Sequence, residues 1–590
     1  MNIRQCVVIF LLLALTATAP SATRASQPQS ETSTTQPGAD SQPAAPPQGA
    51  AQTAGTESSS SMPKTMDQVV DRAIEREHAL IEMLKTRTPL IETYLQDLKF
   101  DPKTGPTPVR DHYFLGRMDF GESVDRRDYL AKPSSFESRL LGGFNKLYKL
   151  EYQPIGFSWM MFADRNDFNR RTYDFEYARR EFVGDVRCFV FLVTPKKGTG
   201  NGRFHGRIWV EDQDYNIVRF NGTYEPRPRG VAYFFHLDSW RLNLVPGYWL
   251  PTYIYSEEGD FSYRSKGKFA FKAQTRLWGY NLQKSRKNSE LTDVLVDSTS
   301  VKDVSPAAQD ASPLQAQRDW MQQAEDNVIE RLQNAGLLAP EGELDKVLET
   351  VVNNLLVTNN IDFGRPLRTR VMLTSPLESF SLGSTIIVSR GLVDVLPDEA
   401  SLAMVLAHEL SHILLGHNLG TKYAFSDRVL FSDESTYKNL GFRHVPEEEA
   451  AADTKAISLL KNSPYSQKLD TAGLFLRQVS ELGPALSALL TAHLGDSLTD
   501  KKGRVTLMVA VMNSAPALDP DKLDQVAALP LGGRVKLNPW DNHVELIKAT
   551  PAPILSARDK MPLEVTPFSP RLTRQGFIAD STARAAKTSQ

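Results

Sequence analysis

Cysteine is nearly absent from this sequence: only Cys6 and Cys188 occur among its 590 residues. Cys6 lies in an N-terminal apolar stretch that is expected to be removed, which leaves one thiol and no intramolecular disulfide. A zinc site built from cysteine thiolates is excluded for the same reason. Cys188 falls in the apolar stretch VRCFVFLV and is predicted to be a buried core residue.

The chain also lacks an excess of charge and a second long apolar run. Its 68 basic and 70 acidic residues give a formal net charge of −2, with no block of Lys or Arg. This balance argues against nucleic acid and against an anionic membrane surface as partners. A membrane-spanning helix needs about 20 apolar residues, and no stretch after the N-terminus provides them.

The N-terminus has the pattern of an export signal. Arg4 supplies the positive charge, and the apolar core from Cys6 to Ala19 is too short to span a membrane. Cleavage is expected after Ala22 or Ala25. The next segment is rich in Ser, Thr, Gln, Pro, Ala and Gly, cannot bury a core, and is predicted to be disordered. We therefore expect a periplasmic protein that is soluble after signal cleavage.

Histidine is scarce as well, yet three of the 10 histidines lie in AMVLAHELSHILLGHNLG, residues 403–420. Pro397 and the acidic residues that follow it predict a helix from Asp398 to Leu415. Gly416 is a residue that can end this helix.

Two of these histidines are spaced to share one metal ion. His408 and His412 are four residues apart, hence on one helix face, and Glu409 lies beside them. This H-E-x-x-H arrangement is typical of zinc peptidases, in which the glutamate is the general base. His417 follows His408 by about two and a half turns, on the opposite face, and is excluded as a ligand. The alternative is an ordinary buried helix with two hydrogen-bonded histidines.

A third ligand is expected, because catalytic zinc usually has three protein ligands. The candidate lies in HVPEEEAAADTKAISLL, where Pro446 predicts a helix start. Glu449 is four residues before Asp453, so the pair suits a ligand carboxylate and a carboxylate that orients a metal-bound histidine. Glu447 and Glu448 are explained by the preference of acidic residues for helix N-termini.

H-E-x-x-H followed by E-x-x-x-D resembles the zinc peptidases related to CAAX prenyl proteases and HtpX, in particular their soluble, periplasmic BepA-like branch. ESFSLGSTIIVSRGLVDVL is similar to the family's strand, glycine and strand, and GELDKVLETVVNNLL is similar to its leading helix. The resemblance implies a mainly helical, gluzincin-type domain with a small edge sheet and one zinc ion. It assigns zinc binding to His408, His412 and Glu449, the general base to Glu409, and the orienting carboxylate to Asp453.

Two stretches depart from the family pattern. Family members often carry Asn-Ala-Phe-Ala where this chain has ESFS at 378–381. The family also tends to carry a His-Pro step followed closely by Arg. Here His493 is followed by Leu494, and Arg504 comes after a longer gap. His493 and Arg504 are candidates to stabilise the tetrahedral intermediate or to lie near the zinc, with a solvated loop as the alternative.

The N-terminal half has a different pattern. Residues 64–97 predict helix, interrupted at Pro89, after which a second helix can follow. From 111 to 282, alternating aromatic stretches such as RFHGRIWVEDQDYNIVRFNGTY predict an antiparallel sheet of eight or more strands. The order of a helix, a meander and GRIWVEDQDYNIVR resembles the half-barrel of LolA-like lipoprotein-sorting proteins.

The sequence therefore predicts an α+β multidomain protein, in which an antiparallel half-barrel with helices precedes the peptidase domain. The predicted division is a signal peptide (1–25), a disordered linker (26–63), a β-rich LolA-like domain (64–295), a linker (296–313), the zinc metallopeptidase domain (314–515), and C-terminal strands and loops with a frayed tail (516–590). Trp540 is expected to anchor the C-terminal segment on the peptidase domain.

These patterns together predict an exported zinc endopeptidase of envelope protein quality control, acting on unfolded or misassembled envelope proteins. An extended substrate is expected to pair with the strand near Ser384 to Val388, because backbone pairing needs little sequence preference. A rival interpretation takes the sheet as a lipid- or protein-binding, chaperone-like module, with a lipid or membrane protein as partner and a mainly regulatory metal site.

Overall fold

A computed structural model shows the fold of the protein. It describes residues 62–101, 105–120, 125–128, 159–200, 202–225, 235–258, 270–280, 313–364, 366–417, 441–538, 542–547, 554–567 and 570–574. The predicted signal peptide, nearly all of both predicted linkers, Trp540 and the frayed C-terminal end lie outside the described residues. Contacts divide the chain into residues 1–62 and 63–590, and the proposed boundary between sheet and peptidase domains stays a prediction.

Helix α1 (Met66–Leu84) opens the described part of the chain. The Thr65 hydroxyl accepts a hydrogen bond from the Gln68 backbone N–H, and the Gln68 side chain accepts from the Thr65 N–H. One face of the helix buries apolar residues at helical spacing together with Glu77, whose carboxylate binds the buried guanidinium of Arg241 at 2.5 and 2.7 Å. Apolar packing and this ion pair fix α1 to the sheet that follows.

The chain after α1 is a strand, so the predicted second helix is wrong. Leu90–Asp101 forms β1, which pairs along its length with Gly105–Asp119 (β2) and with Ala270–Trp278 (β10). The stretch LIETYLQDL contains Ile, Thr and Tyr, which fit a pleated and half-buried surface. Pairing on both edges decides in favour of strand, and the pairing with β10 depends on residues far away in the chain.

Ten antiparallel strands form the large sheet, which confirms the predicted antiparallel sheet. The other strands are β3 (Asp125–Asp128), β4 (Tyr173–Val183), β5 (Val186–Pro195), β6 (Arg203–Glu211), β7 (Ile217–Glu225), β8 (Phe235–Val245) and β9 (Tyr248–Glu258). Their order is β3-β2-β1-β10-β9-β8-β7-β6-β5-β4. One face packs against α1. The other face shares an apolar core with the part of the chain from residue 313 onward, which contains the predicted peptidase domain and is named the peptidase region. Cys188 in β5 is a buried free thiol, as predicted.

The peptidase region is mainly helical with small sheets, which confirms the predicted α+β class. Its helices are α2 (Pro313–Asn334), α3 (Glu343–Thr358), α4 (Arg390–Val395), α5 (Glu399–Leu415), α6 (Pro446–Lys461), α7 (Leu469–Leu482), α8 (Ser487–Leu490), α9 (Val509–Ser514) and α10 (Ala557–Lys560). Its strands are β11 (Arg368–Met372), β12 (Glu378–Leu382), β13 (Thr385–Ser389), β14 (Asp496–Ser497), β15 (Val535–Leu537) and β16 (Val544–Leu546). None of the described helices has both the length and the apolar character that a bilayer-spanning segment needs.

The small sheet beside α5 has the order β11-β13-β12-β14. β13 is therefore paired on both sides, in parallel with β11 and antiparallel with β12. The prediction that a substrate pairs with the strand at Ser384 to Val388 is wrong for this reason. β12 lies next to it and is paired with β14 at only two positions, Glu378 and Ser379.

Buried carboxylates join the large sheet to the peptidase region. Glu92 in β1 accepts a hydrogen bond from the Ser375 backbone N–H at 2.6 Å and lies 3.4 Å from the guanidinium of Arg390. Asp111 in β2 accepts two backbone N–H groups of α8, each at 2.8 Å. These contacts join the two regions within the compact unit of 63–590.

Candidate metal centre

Helix α5 carries the H-E-x-x-H residues through the interior of the peptidase region. Asp398 caps the helix, because its carboxylate accepts from the backbone N–H and the hydroxyl of Ser401 at 2.8 and 2.6 Å. Pro397 precedes the cap, and the helix begins at Glu399, one residue after its predicted start at Asp398. Gly416 ends the helix in the left-handed region, at φ 73°.

The three predicted zinc ligands converge on one point. The Nε2 atoms of His408 and His412 are 3.1 Å apart, and Glu449 oxygens lie 3.2 Å from the first and 3.7 Å from the second. Tetrahedral zinc with ligands at about 2.0–2.2 Å separates ligand atoms by roughly 3.3–3.6 Å. Glu449 Oε1 is buried and accepts no hydrogen bond from the described residues. The three side chains therefore fit a zinc ion.

Asp453 orients the first of these histidines. Its Oδ1 lies 2.9 Å from Nδ1 of His408, and its Oδ2 accepts the backbone N–H of Met508 at 2.9 Å. A proton on Nδ1 leaves the lone pair of His408 on Nε2, the atom that faces the other ligands. Burial, with the charges of neighbouring histidines, lowers the pKa of His412 to about 2 and keeps this ring in the neutral form that binds metals.

Glu409 is wholly buried beside the two histidines. Its Oε1 accepts a hydrogen bond from the Ser379 hydroxyl at 2.6 Å, while Oε2 is buried without a partner among the described residues. Burial raises the pKa of Glu409 to about 7, and the nearby charge of Asp496 adds to the shift. A carboxylate with this pKa is suited to take and return a proton near neutral pH.

Residues 342–439 match the model of peptidase family M48. This part of the chain is therefore similar to the M48 metallopeptidases. The match includes α5 with its H-E-x-x-H residues and ends before α6, where Glu449 and Asp453 lie. No curated protein matches the chain significantly.

Solved structures are similar to about a third of the chain. They include a LolA superfamily protein from Nitrosomonas europaea (11% identity, 36% of this chain, 91% of that chain, TM-score 0.17) and a DUF1329 family protein from Desulfovibrio piger (12%, 37%, 94%, TM-score 0.20). A third is MucB in complex with MucA, at 8% identity, covering 36% of this chain and 94% of that chain with a TM-score of 0.12. Structural similarity with TM-scores this low gives no basis for assigning a ligand to the sheet.

His417 lies beside His412, so its predicted position on the opposite helix face is wrong. The Nδ1 atoms of the two rings are 2.9 Å apart. The count of helical turns fails because α5 ends at Leu415 and Gly416 turns the chain back. His412 thus faces His417 with Nδ1 and His408 with Nε2. The exclusion of His417 as a ligand stays a prediction.

The structure also places at the site two residues that sequence reasoning missed, His444 and Asp496, both of which lie after the M48 match. Asp496 accepts from the backbone N–H of His444 at 3.0 Å, and its other oxygen lies 2.8 Å from Nδ1 of the same residue. The His444 ring stacks on His412 with centroids 3.6 Å apart and 21° between the planes. The one available signal was a rare histidine just before the helix of Glu449, whereas Asp496 is distant in sequence and was not detectable.

Polar atoms of His412, His444, Glu449 and Asp496 lie within 4.8 Å of one another, which is a second conceivable ligand set. Two observations favour the set with His408 instead. Both oxygens of Asp496 are already engaged by His444. The ring of His444 lies flat against the ring of His412, so the nitrogen lone pairs of His444, which lie in its ring plane, are not directed at the nitrogens of His412. His444 and Asp496 therefore form a wall of the site.

The two remaining candidates of the sequence analysis differ in position. Arg504 does not join the site: its guanidinium binds Asp500 at 2.6 Å and its side chain is 72% exposed. His493 is partly buried against the ring of Tyr113, with centroids 5.1 Å apart, and its Nε2 has no partner among the described residues. The alternative of a solvated loop fits Arg504, whereas His493 is held between Tyr113 of the large sheet and Glu378 of β12.

Proposed function

We propose that this protein is a zinc-dependent endopeptidase, exported to the periplasm, that cleaves unfolded or misassembled envelope proteins. The observation that carries the proposal is the convergence of two Nε2 atoms and one carboxylate beside Glu409, whose Oε2 is buried and free of hydrogen bonds among the described residues. The export-signal pattern of the N-terminus supports the location.

The chain's own residues divide the chemistry among them. His408 and His412 hold the ion through Nε2 and Glu449 holds it through its carboxylate, while Asp453 fixes the His408 ring. When bound, zinc supplies Lewis-acid polarisation of the scissile carbonyl and lowers the pKa of water. Glu409 takes the proton of the attacking water on Oε2 and later transfers it to the leaving amine.

Substrate binding is assigned to β12 in place of β13. β14 pairs with β12 only at Glu378 and Ser379, so among the described residues the outer edge from Phe380 to Leu382 has no strand partner. An extended peptide that adds there binds mainly by backbone hydrogen bonds, which need little sequence preference. Such binding suits a protease that recognises unfolded segments.

The test compares wild type with Glu409→Gln in zinc content and in casein cleavage with and without a chelator. We expect Glu409→Gln to keep zinc and fold and to lose roughly 100-fold in cleavage, the usual scale for a lost general base. Glu399→Gln, in the first turn of the same helix, is the matched control and should cleave normally. Full activity of Glu409→Gln would refute the mechanism. Co-purified lipid with no chelator-sensitive cleavage would favour the rival, ligand-binding role of the sheet.

A further inference from the structure

The hydroxyl of Ser379 is the one described group that holds the carboxylate of Glu409 by a hydrogen bond. The Oγ–Oε1 distance is 2.6 Å, and both side chains are buried, with Ser379 2% exposed. The terminal torsion of a glutamate is broad, so a free carboxylate can rotate. A hydrogen bond on Oε1 restricts this rotation and leaves Oε2, which has no partner among the described residues, as the oxygen that can take a proton.

The position of Ser379 is itself fixed by pairing on both sides of β12. Its backbone pairs with Val388 in β13 and with Asp496 in β14. The preceding residue, Glu378, accepts three consecutive backbone N–H groups, from His493 to Gly495, on one oxygen at 2.9 to 3.2 Å. This carboxylate ties the segment that leads into β14 to the end of β12. Strand pairing on both sides thus fixes the backbone of Ser379, and with it the position of the hydroxyl that binds Glu409.

We propose that Ser379 is a positioning residue for the general base, holding Glu409 so that Oε2 faces the attacking water. The inference rests on the proposed peptidase function. It gives a role to a departure noted in the sequence, since ESFS at 378–381 stands where the related peptidases often carry Asn-Ala-Phe-Ala. Alanine at this position has no hydroxyl, so this chain adds a hydrogen bond that the common family pattern does not supply.

Ser411 provides a matched control on the helix of Glu409. It is two residues from Glu409 and fully buried, but its hydroxyl donates to the backbone carbonyl of Ala407 at 2.7 Å and not to Glu409. The experiment measures kcat, KM, bound zinc and melting temperature for Ser379→Ala, Ser379→Thr and Ser411→Ala on a fluorogenic peptide. Glu409→Gln is measured alongside as the reference for a lost base.

We expect Ser379→Ala to lower kcat roughly tenfold while KM stays within about twofold, because the orientation of the base changes and ground-state binding does not. Bound zinc and melting temperature should match wild type. Ser379→Thr keeps the hydroxyl and should restore kcat, and Ser411→Ala should behave as wild type. If Ser379→Ala does not fold, Ser379→Cys, of similar size and with a weak donor, replaces it and should show a reduced kcat.

Unchanged kcat in Ser379→Ala, or an equal fall in Ser411→Ala, would overturn the inference, as would a fall in kcat that follows lost zinc. These results differ from failure of the proposed function. In that case wild type itself would show no chelator-sensitive cleavage, and Glu409→Gln would equal wild type.

Discussion

Replacing Glu449 by Gln tests whether this carboxylate, and not that of Glu447 or Glu448 in the same helix turn, is the third metal ligand. Glu449 reaches both histidines, with oxygens 3.2 Å from Nε2 of His408 and 3.7 Å from Nε2 of His412. Glu448 instead accepts the backbone N–H of Val445 at 3.4 Å, which is the bond of a helix cap. The three consecutive glutamates at 447–449 thus differ in position but not in chemistry.

The magnitude follows from the loss of one of three protein ligands. Removing an outer group that only orients a ligand costs about 10–100-fold in metal affinity. The loss of a direct ligand should exceed this, so we expect zinc affinity to fall by more than about 100-fold, or about 2.7 kcal/mol. Glu447→Gln and Glu448→Gln should keep wild-type affinity, because neither carboxylate contacts a histidine.

The assay is equilibrium dialysis against a competing chelator, followed by thermal melting with and without added zinc. A ligand that binds only the folded state raises the melting temperature, so wild type and both controls should show a zinc-dependent increase. Glu449→Gln should show little increase. If Glu448→Gln loses zinc while Glu449→Gln retains it, the assignment of the third ligand is wrong. The assignment of Asp453 as the carboxylate that orients His408 is then wrong as well, because it depends on the spacing from Glu449.

Further predictions concern the walls of the site and the sheet. Asp453→Asn should weaken zinc binding about 10–100-fold, because the His408 ring loses its orienting carboxylate, and unchanged affinity in a chelator competition would contradict this. His444→Gln should keep zinc, measured after dialysis, because its ring stacks on a ligand and does not point at the ion; lost zinc would instead support the set with Asp496. Glu77→Gln should lower the free energy of unfolding by about 3–5 kcal/mol in denaturant titration, since it breaks a buried ion pair. Glu75→Gln, in an exposed pair on the same helix, should cost less than about 1 kcal/mol, and equal effects of the two would refute the argument.

The local features of the site were predictable from the sequence. Residues four apart on a helix share a face whatever the surrounding fold, so H-E-x-x-H already placed His408 and His412 together. The same rule paired Glu449 with Asp453, and Pro446 and Gly416 marked helix ends correctly. Alternating aromatic stretches likewise predicted the antiparallel sheet, because side chains on a strand alternate between its faces.

The errors all concern places where a local pattern ends or where distant segments meet. The count of turns failed for His417 because one left-handed glycine reverses the chain after Leu415. LIETYLQDL was expected to be helix, yet β1 is paired on both edges by strands that lie far apart in sequence. A substrate was expected to pair with the strand near Ser384 to Val388, but both edges of β13 are occupied, because strand order is a property of the whole sheet.

Only the tertiary structure decided how the ligands and the base are supported. Asp496 meets His444 across 52 residues, and Ser379 meets Glu409 across 30. Both contacts depend on the pairing of β12 with β14. Residue spacing within one segment cannot predict this pairing, because the two strands are far apart in sequence. The fixed period of a helix determines which of its residues lie side by side. Contacts between segments that are far apart in sequence depend instead on how the entire core packs.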